Sequence, residues 1–412
     1  MSYQRLPYAE WGWAELRAVL AAVLGGRIRR GPGVRQLADG LARLLNVPHV
    51  LAVNSGRTAL RVGLEALMQL RPGRNEVIVP AFICPAVIEV VSSLGLLPVA
   101  ADVGPDLNLD PGACGQRIGS RTLAIIVAHM YGCPAQIEAF ETMASTAGVF
   151  LVDDAAQVVG EFAGGRMLGT FGDFGVLSFA QSKCVVTGES GGGGALICHQ
   201  NDILPIVRAR VQALAPAGGR LRALAAFVWN YLLESHTASL SYRWQRLRQH
   251  FPGGRPPALA PGRISNLDAQ LALAQLNSLS RRREQRLRIL GHYADALASA
   301  GGSWHMPQFS PGRYLARVMV SMPPGVDLES CRRQLRQESV CTRQGYPTHP
   351  GGPHSAKRAP ELAASLIELP AYAGMTAGDV AEVCQRLHRV AAAYRKRVPN
   401  RQDGDDHEQC YQ

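Results

Sequence analysis

Short apolar segments alternate with helical segments over much of the first half of the chain, and this alternation constrains the fold more than any other feature. Seven strand-like runs, among them HVLAV, EVIVPAF and TLAIIVA, are separated by segments with helical spacing or by turns. Strands that alternate with helices predict a mostly parallel sheet with helices on both faces. In such sheets ligands bind beyond the C-terminal ends of the strands, and we expect the functional site there.

The remaining segments predict helices before this sheet and a second, smaller unit after it. Residues 14–46 have the pattern of two helices separated by GGRIRRGPG, and FPGGRPPALAPG is rich in the residues that break elements. One long helix is expected from Asn266 to Gly301, followed by a strand in RYLARVMVSM and a final helix from Ala377 to Arg395. The predicted division is a large α/β domain (1–255), a small α+β domain (256–398) and a disordered tail (399–412).

Composition excludes several classes of protein. There is no run of eighteen apolar residues and no signal-peptide pattern at the N-terminus, so we expect a cytoplasmic protein without stable membrane insertion. Nine scattered cysteines without a C-x-x-C pair argue against a disulfide framework and a structural zinc site, and no metal is expected. The net charge is +11, but the arginines are spread over the whole chain and form no stripe of basic residues interleaved with aromatic ones. The charge therefore favours a small phosphate-bearing ligand over nucleic acid.

One lysine stands out because lysine is so rare. The chain has 43 lysine and arginine residues, of which only Lys183, Lys357 and Lys396 are lysine. Lys183 follows the apolar run FGVLSFAQS and precedes a glycine cluster. It is either an ordinary surface lysine or a lysine that forms a Schiff base, for which arginine cannot substitute. The arginine bias favours the second interpretation.

A pyridoxal phosphate site would need three further groups, which are a carboxylate, phosphate donors and a flat group against the ring, and we expect a candidate for each. A carboxylate must face the pyridine nitrogen, and Asp154 ends the apolar strand VFLVDDAAQ. Phosphate donors come from a helix N-terminus, and AVNSGRTAL leads from a strand through Ser55, Gly56 and Arg57 into a helix. Taken alone, the second pattern is also that of an ordinary helix cap.

The order of these motifs resembles that in the DegT/DnrJ/EryC1/StrS family, which comprises the sugar aminotransferases among the fold-type I pyridoxal phosphate enzymes. The similarity extends over nearly the whole chain, through AVNSGRTAL, EVIVPAFICPAVIEV, VFLVDDAAQ, GDFGVLSFAQSK and ISNLDAQLALAQL in matching order. The resemblance implies a large, mostly parallel, seven-stranded domain with a smaller C-terminal α+β domain. It also implies pyridoxal 5'-phosphate as cofactor and a homodimer with shared active sites.

The resemblance assigns roles to individual residues. It implies that Lys183 is the Schiff-base lysine, Asp154 the partner of the pyridine nitrogen, and Gln157 a neighbour of the ring hydroxyl. Ser178 is implied as a phosphate ligand together with the Ser55–Arg57 segment. Asp153 is expected to point away from the site, because adjacent residues of a strand face opposite sides.

Four features depart from the family pattern. Arg57 stands where threonine is usual, and it either binds the phosphate or faces solvent. Cys84 stands where an aromatic residue commonly stacks on the cofactor ring. Pro261, in PGRIS, replaces an asparagine that reaches the partner subunit's phosphate, so Arg57 or Arg263 could supply that contact. The glycine run after Glu189 is longer than usual and predicts a flexible loop.

The expected function is transfer of an amino group from an amino acid, glutamate or glutamine, to a keto acceptor. By resemblance the acceptor is a nucleotide-linked keto sugar used in surface-glycan or natural-product biosynthesis. Transamination, decarboxylation or elimination on a non-sugar natural-product intermediate stays open. The dehydratase branch of the family has histidine in place of the lysine, which this sequence contradicts. A regulatory protein on an inactivated enzyme fold is the third alternative, and the presence of Lys183, Asp154 and Ser178 argues against it.

Overall fold

The computed structural model describes the chain in six main segments and several short ones: 11–187, 192–217, 260–299, 315–323, 326–348 and 356–397, with 4, 6, 224–225, 228, 304–307 and 313. The start of the glycine-rich loop, most of the 205–262 segment and the whole tail at 399–412 lie outside these residues. The expectations for them, and the domain boundary at 255, stay predictions.

Nine strands lie in the first half of the described chain: β1 (His49–Val53), β2 (Glu76–Pro80), β3 (Leu97–Ala101), β4 (Thr122–Ala128), β5 (Phe150–Asp154), β6 (Phe162–Ala163), β7 (Arg166–Met167), β8 (Phe174–Ser178) and β9 (Gly194–Cys198). Seven of them form one sheet in the order β1-β9-β8-β5-β4-β2-β3, while β6 and β7 form a separate hairpin. In the large sheet β9 is antiparallel to both its neighbours, and the remaining pairs are parallel. The seven apolar runs of the sequence are these seven strands, and the α/β class with a mostly parallel sheet is confirmed.

Seven helices precede or accompany this sheet among the described residues: α1 (Trp13–Leu24), α2 (Gly33–Leu45), α3 (Gly56–Leu70), α4 (Pro85–Ser93), α5 (Pro111–Gly115), α6 (Ile137–Ala147) and α7 (Ile203–Ala213). The two helices expected within 14–46 are α1 and α2.

Both faces of the sheet are buried, because the middle of each strand is a continuous apolar run. On β2, Val77 and Val79 belong to the core that includes α3, α4 and α7, whereas Ile78 belongs to the core that includes α2 and α6. Successive side chains of a strand point to opposite faces, so a continuous apolar run fills two cores at once. The polar groups that follow the strands are thereby left at the sheet edge, where the candidate site lies.

A smaller unit follows, with five helices and three strands among the described residues: α8 (Asn266–Leu276), α9 (Leu279–Ser299), β10 (Val318–Ser321), α10 (Leu328–Gln337), β11 (Arg343–Gln344), α11 (Arg358–Ser365), β12 (Leu366–Leu369) and α12 (Ala377–Arg397). Its strands form an antiparallel sheet in the order β10-β12-β11. Trp304, Tyr293 and Leu387 belong to its separate core. The expected C-terminal α+β unit and its final helix are confirmed.

The single long helix expected from Asn266 to Gly301 is wrong, because the chain forms α8 and α9 with a break at Asn277 and Ser278. The Ser278 hydroxyl donates a hydrogen bond to the Gln275 carbonyl at 3.1 Å. Serine and asparagine side chains compete in this way with the helical hydrogen bonds. The break lets α8 pack on α1 and α2 while α9 packs on α12.

No helix in the described part of the chain is both long enough and apolar enough to cross a lipid bilayer.

Candidate active site

A cavity of about 260 Å³ lies beyond the C-terminal ends of the parallel strands. It collects side chains that follow four different strands, because parallel strands end at the same edge of a sheet. Seven of the eight sequence-predicted site residues line it: Ser55, Gly56, Arg57, Cys84, Asp154, Ser178 and Lys183. The eighth, Gln157, is buried but does not line it.

The N-terminus of α3 forms one wall of the cavity. Ser55 is the N-cap, and its hydroxyl oxygen accepts a hydrogen bond from the Thr58 N–H at 3.1 Å. A Cβ atom at Gly56 would lie 2.8 Å from the Ser178 Cβ, so only glycine lets the helix approach β8 this closely. The first N–H groups of a helix have no partner within the helix and carry its positive end. With the Ser178 hydroxyl beside them, they form a binding place for an anion such as phosphate.

The two aspartates at the end of β5 have different surroundings. Asp154 lines the cavity, and its carboxylate accepts the Ala156 N–H at 3.1 Å. Burial raises the pKa of Asp154, and the Lys183 amine and the Ala156 N–H oppose this rise. Asp153 is fully buried on the other side of the strand, so the prediction that it points away is confirmed.

His129 holds Asp153 in a polar network that the sequence analysis missed. The Ala135 N–H donates to His129 Nδ1 at 2.9 Å, which leaves Nε2 to donate to Asp153 at 2.8 Å. Asp153 also accepts the backbone N–H groups of Gly169 and Phe171 at 2.6 and 3.1 Å. The network fixes the end of β5 and with it the position of Asp154. The sequence gives little indication of this His129–Asp153 network, because a histidine after an apolar strand can have many roles.

Lys183 lies in the loop after β8, five residues beyond the last residue of that strand. The preceding residue, Ser182, has a φ of 62°, a left-handed conformation that serine seldom adopts. The neighbouring Cys184 thiol donates to the Gln157 carbonyl at 3.3 Å, and Val186 donates its N–H to the Gln275 side chain at 2.9 Å. Burial lowers the pKa of Lys183, so a larger share of its amine is neutral and nucleophilic than in an exposed lysine.

Gln157 and Cys84 complete the set of sequence-predicted residues. Gln157 is 5% exposed, and its side-chain oxygen has no hydrogen-bond partner among the described residues. Cys84 is the N-cap of α4 and lines the cavity. A cysteine there leaves more space than an aromatic ring would.

Three residues of the site escaped the sequence analysis. Arg317 and Tyr346 line the cavity from the C-terminal unit, and Tyr131 connects them to the large sheet. The Tyr131 carbonyl accepts the N–H groups of Ala316 and Arg317 at 2.7 and 3.4 Å, and its hydroxyl accepts the Tyr346 N–H at 2.9 Å. Its φ of 53° places it too in the left-handed region. Nothing in a local pattern of the sequence marks these three as neighbours.

Arg57 lines the cavity, whereas Arg263 does not. The Arg263 side chain donates to the Leu214 carbonyl of its own chain at 3.2 Å, and its backbone bridges to Val53. Of the two arginines considered for the phosphate contact, only Arg57 belongs to this cavity within one chain.

The site fits pyridoxal phosphate by the chemistry of its groups. A buried amine, a carboxylate and an anion-binding helix N-terminus line one cavity, and the unpartnered oxygen of Gln157 lies nearby. The closely packed Gly56 and Ser178 are suited to surround a phosphate. No group of His, Cys, Asp and Glu side chains among the described residues could hold a metal ion.

Comparisons with known proteins agree with this geometry. The model of the DegT/DnrJ/EryC1/StrS aminotransferase family matches residues 11–388. GDP-perosamine synthase of Caulobacter vibrioides is 27% identical over 374 residues, which is 87% of this chain and 90% of that protein. The Helicobacter pylori aminotransferase PseC, involved in the biosynthesis of pseudoaminic acid, is 16% identical with a TM-score of 0.78, over 95% of this chain and 100% of that one. The aminotransferase TlmJ of Streptoalloteichus hindustanus is 25% identical with a TM-score of 0.75, over the same shares.

Proposed function

The chain belongs to the DegT/DnrJ/EryC1/StrS aminotransferase family, whose members depend on pyridoxal phosphate, and we propose that it transfers an amino group from an amino acid to a nucleotide-linked keto sugar. The observation that carries the proposal is that Lys183, Asp154 and Ser178 line one cavity with the N-terminus of α3. GDP-perosamine synthase, a relative over most of its length, supports a sugar acceptor.

The proposal gives each wall of the cavity a task in binding the cofactor. Ser178, Ser55 and the first N–H groups of α3 hold the phosphate, and Arg57 adds positive charge beside it. Gln157, whose side-chain oxygen has no partner among the described residues, would be the neighbour of the ring hydroxyl, and Cys84 would lie beside the ring. When bound, pyridoxal phosphate supplies an aldehyde that captures amines and a ring that accepts electron density from the substrate.

Lys183 and Asp154 handle the protons of the reaction. The neutral Lys183 Nζ accepts a proton from the α-carbon of the amino donor and delivers it during transfer, as a general base and then a general acid. Because burial lowers its pKa, a larger fraction of Nζ is neutral and able to accept that proton than in an exposed lysine. Asp154 presents an anion to a protonated ring nitrogen, and that cation in turn favours the ionised form of a carboxylate whose pKa is raised by burial.

The amino donor in this proposal is glutamate or glutamine, and the acceptor carries its keto group on the sugar. The protein acts in the cytoplasm as a homodimer with shared active sites, in surface-glycan or natural-product biosynthesis. Its partners are small molecules, without a role for nucleic acid or stable membrane insertion.

The test uses the rarity of lysine in this chain. Purified protein incubated with pyridoxal phosphate should develop visible absorbance that borohydride bleaches, with the label recovered on the peptide that contains Lys183. Lys183→Ala should lack both signals. Lys357→Ala is the matched control, because Lys357 is exposed, and it should behave like the parent protein. Colourless parent protein, or label on another lysine, contradicts the proposal.

A panel of amino acids then distinguishes transamination from other reactions of the cofactor. Glutamate or glutamine should convert the bound cofactor to its amino form without release of carbon dioxide. Carbon dioxide release would instead support a decarboxylase, the alternative that the fold allows. A keto sugar nucleotide should return the cofactor to its aldehyde form, and failure of every such acceptor would favour a non-sugar substrate.

A further inference from the structure

Arg317 is a buried cation in the cavity, and it has none of the cofactor-binding roles proposed above. Its side chain is 9% exposed and lines the same cavity as Lys183. The backbone is held in place, because the N–H groups of Ala316 and Arg317 both donate to the Tyr131 carbonyl. An arginine stays protonated under physiological conditions, so this cavity contains a permanent positive charge.

Two tyrosine rings restrict the guanidinium group of Arg317. Its Cζ lies 5.6 Å from the centre of the Tyr131 ring and 5.2 Å from the centre of the Tyr346 ring. The two rings are themselves stacked, with centres 5.1 Å apart and an angle of 13° between their planes. Cation–π contacts on two fixed rings orient the group without using its hydrogen-bond donors.

The charges around Arg317 do not cancel. Glu368 Oε2 lies 3.5 Å from Arg317 Nη1 and 3.7 Å from Arg343 Nη1, so one buried carboxylate is shared by two arginines. The Arg317–Glu368–Arg343 cluster contains two cations and one anion, so it keeps one net positive charge. Arg343 is 35% exposed, whereas Arg317 is buried, and a buried cation is costly unless an anion accompanies it.

One hydrogen-bond donor of the Arg317 guanidinium group is also unused. Its Nε has no hydrogen-bond partner among the described residues, and the same holds for both carboxylate oxygens of Glu368. Arg343, by contrast, donates to the Ser182 hydroxyl at 3.2 Å. A planar guanidinium group with a free N–H donor can form two parallel hydrogen bonds to the two oxygens of a carboxylate.

We propose that Arg317 binds the α-carboxylate of the amino donor and thereby selects amino acids in the first half of the reaction. This inference rests on the proposed function. The donor's α-carbon must reach the Lys183 amine, and its α-carboxylate is one bond from that carbon. The binding group must therefore lie in the cavity that contains Lys183, as Arg317 does. The diphosphate of a sugar nucleotide is many bonds from the keto carbon and has no need of a cation so deep in the site.

The test is binding of glutarate, a dicarboxylate that lacks the amino group, to cofactor-loaded protein, measured by calorimetry. Arg317→Gln should weaken binding by about 10- to 100-fold, the range for losing a charge-assisted hydrogen bond. Arg317→Lys keeps the charge but loses the planar fork, and should weaken it severalfold. Arg343→Lys is the matched control, because it is next to the same Glu368 but does not line the cavity, and should leave glutarate affinity unchanged.

The two half-reactions give an independent readout. With Arg317→Gln, the glutamate concentration needed for half-maximal conversion of the cofactor should rise, whereas that of the keto sugar acceptor should stay as in the parent protein. Glutarate affinity equal to the parent, or equal loss for donor and acceptor, overturns the inference. If Arg317→Gln does not fold, the comparison of Arg317→Lys with Arg343→Lys tests the inference instead. Equal glutarate affinities in these two variants would also overturn the inference.

The inference and the proposed function can fail separately. Parent protein that does not react with pyridoxal phosphate refutes the proposed function. Parent protein that reacts normally, while Arg317→Gln binds glutarate equally well, refutes only the role of Arg317.

Discussion

At the residue scale, the reactivity of Lys183 depends on how little water reaches its amine. Burial disfavours the charged form, so the folded protein holds the pKa of Lys183 below its ordinary value of 10.5. The unfolded chain keeps that proton up to pH 10.5. Between the two values the unfolded state binds more protons, and this residue's contribution to stability therefore rises with pH across that window.

The lowered pKa predicts the pH dependence of cofactor capture. Only the neutral amine attacks an aldehyde, so the rate at which cofactor-free protein gains visible absorbance should rise with pH and level off below pH 10.5. The measurement is stopped-flow absorbance over a series of buffers from about pH 6 to 10. Nα-acetyl-lysine in place of the protein provides the ordinary amine as a control. A protein profile that levels off no earlier than that of the free amine would contradict the prediction.

Individual site residues differ in how far the sequence could reveal them. Lys183 and Asp154 were predictable because few side chains can perform their chemistry and each follows an apolar strand. Arg317 and Tyr346 were not, because they reach the cavity through tertiary packing from distant segments. Arginine is also the commonest cation of this chain, so one more arginine carries no local signal. Which predicted residues bind the cofactor stays a prediction until the cofactor is bound.

At the element scale, the N-terminus of α3 depends on the absence of a side chain at Gly56. Gly56→Ala would place a Cβ 2.8 Å from the Ser178 Cβ and 3.3 Å from the Leu177 carbonyl oxygen. The helix start or β8 must shift, at a cost of about 1–3 kcal/mol in the free energy of unfolding. Because both elements border the proposed phosphate site, pyridoxal phosphate affinity should fall at least about tenfold, a loss of about 1.4 kcal/mol. Equilibrium dialysis and urea unfolding measure the two effects.

Gly291→Ala is the control for that substitution. Gly291 lies within α9, and a Cβ there would meet nothing within 4 Å. Alanine should stabilise this helix by about 0.5–1 kcal/mol and leave cofactor affinity unchanged. Equal cofactor affinity in Gly56→Ala and the parent protein would show that the close packing of α3 on β8 is not needed for binding.

A second element-scale prediction concerns Asp102, which follows β3 and caps α11 of the C-terminal unit. Its carboxylate accepts the N–H groups of Lys357, Arg358 and Ala359 at 2.8, 3.1 and 3.2 Å. Asp102→Ala should cost about 1–2 kcal/mol in the free energy of unfolding, as the loss of a helix cap does. Urea unfolding at neutral pH checks this value, and a change below about 0.5 kcal/mol would contradict it.

The same capping contact has a pH dependence of defined sign. Burial raises the pKa of Asp102, but the backbone hydrogen bonds outweigh it, and the pKa lies below its ordinary value of 3.8. The stabilisation is therefore complete above that value and is lost as pH falls through the lower pKa of the folded state. Asp102→Asn, which keeps one acceptor oxygen without the charge, should lose less stability than the parent protein when unfolding is repeated at about pH 3. Equal losses in both proteins would argue against an ionised cap.

Helices and strands were predictable where the spacing of apolar residues defines them. They were less predictable where contacts between distant segments determine the structure. All seven strands of the large sheet have an apolar run of the right length. The antiparallel direction of β9 and the small β6–β7 hairpin have no such signal, because pairing partners determine them. The break between α8 and α9 was missed because the apolar stripe continues while Ser278 ends the helix.

At the scale of the whole molecule, the homodimer is the prediction that composition supports least. The resemblance to the family implies a site at a subunit interface, with Pro261 at the position where an asparagine is expected to reach across it. Sedimentation equilibrium of the cofactor-loaded protein should give twice the mass of one chain, with the subunits associated at the concentrations used for the half-reactions. Full activity in a protein that sediments as a monomer would contradict shared sites.

The position of Tyr131 has a consequence for how the molecule meets its substrates. Tyr131, in the turn that follows β4, holds both segments of the C-terminal unit that line the cavity, through its carbonyl to Ala316 and Arg317 and through its hydroxyl to Tyr346. The wall of the cavity formed by Arg317 and Tyr346 is thus attached to the large domain by hydrogen bonds in the folded chain. If this cavity binds an amino acid as proposed, the wall that contains Arg317 is already ordered before binding, so less entropy is lost when the amino acid binds.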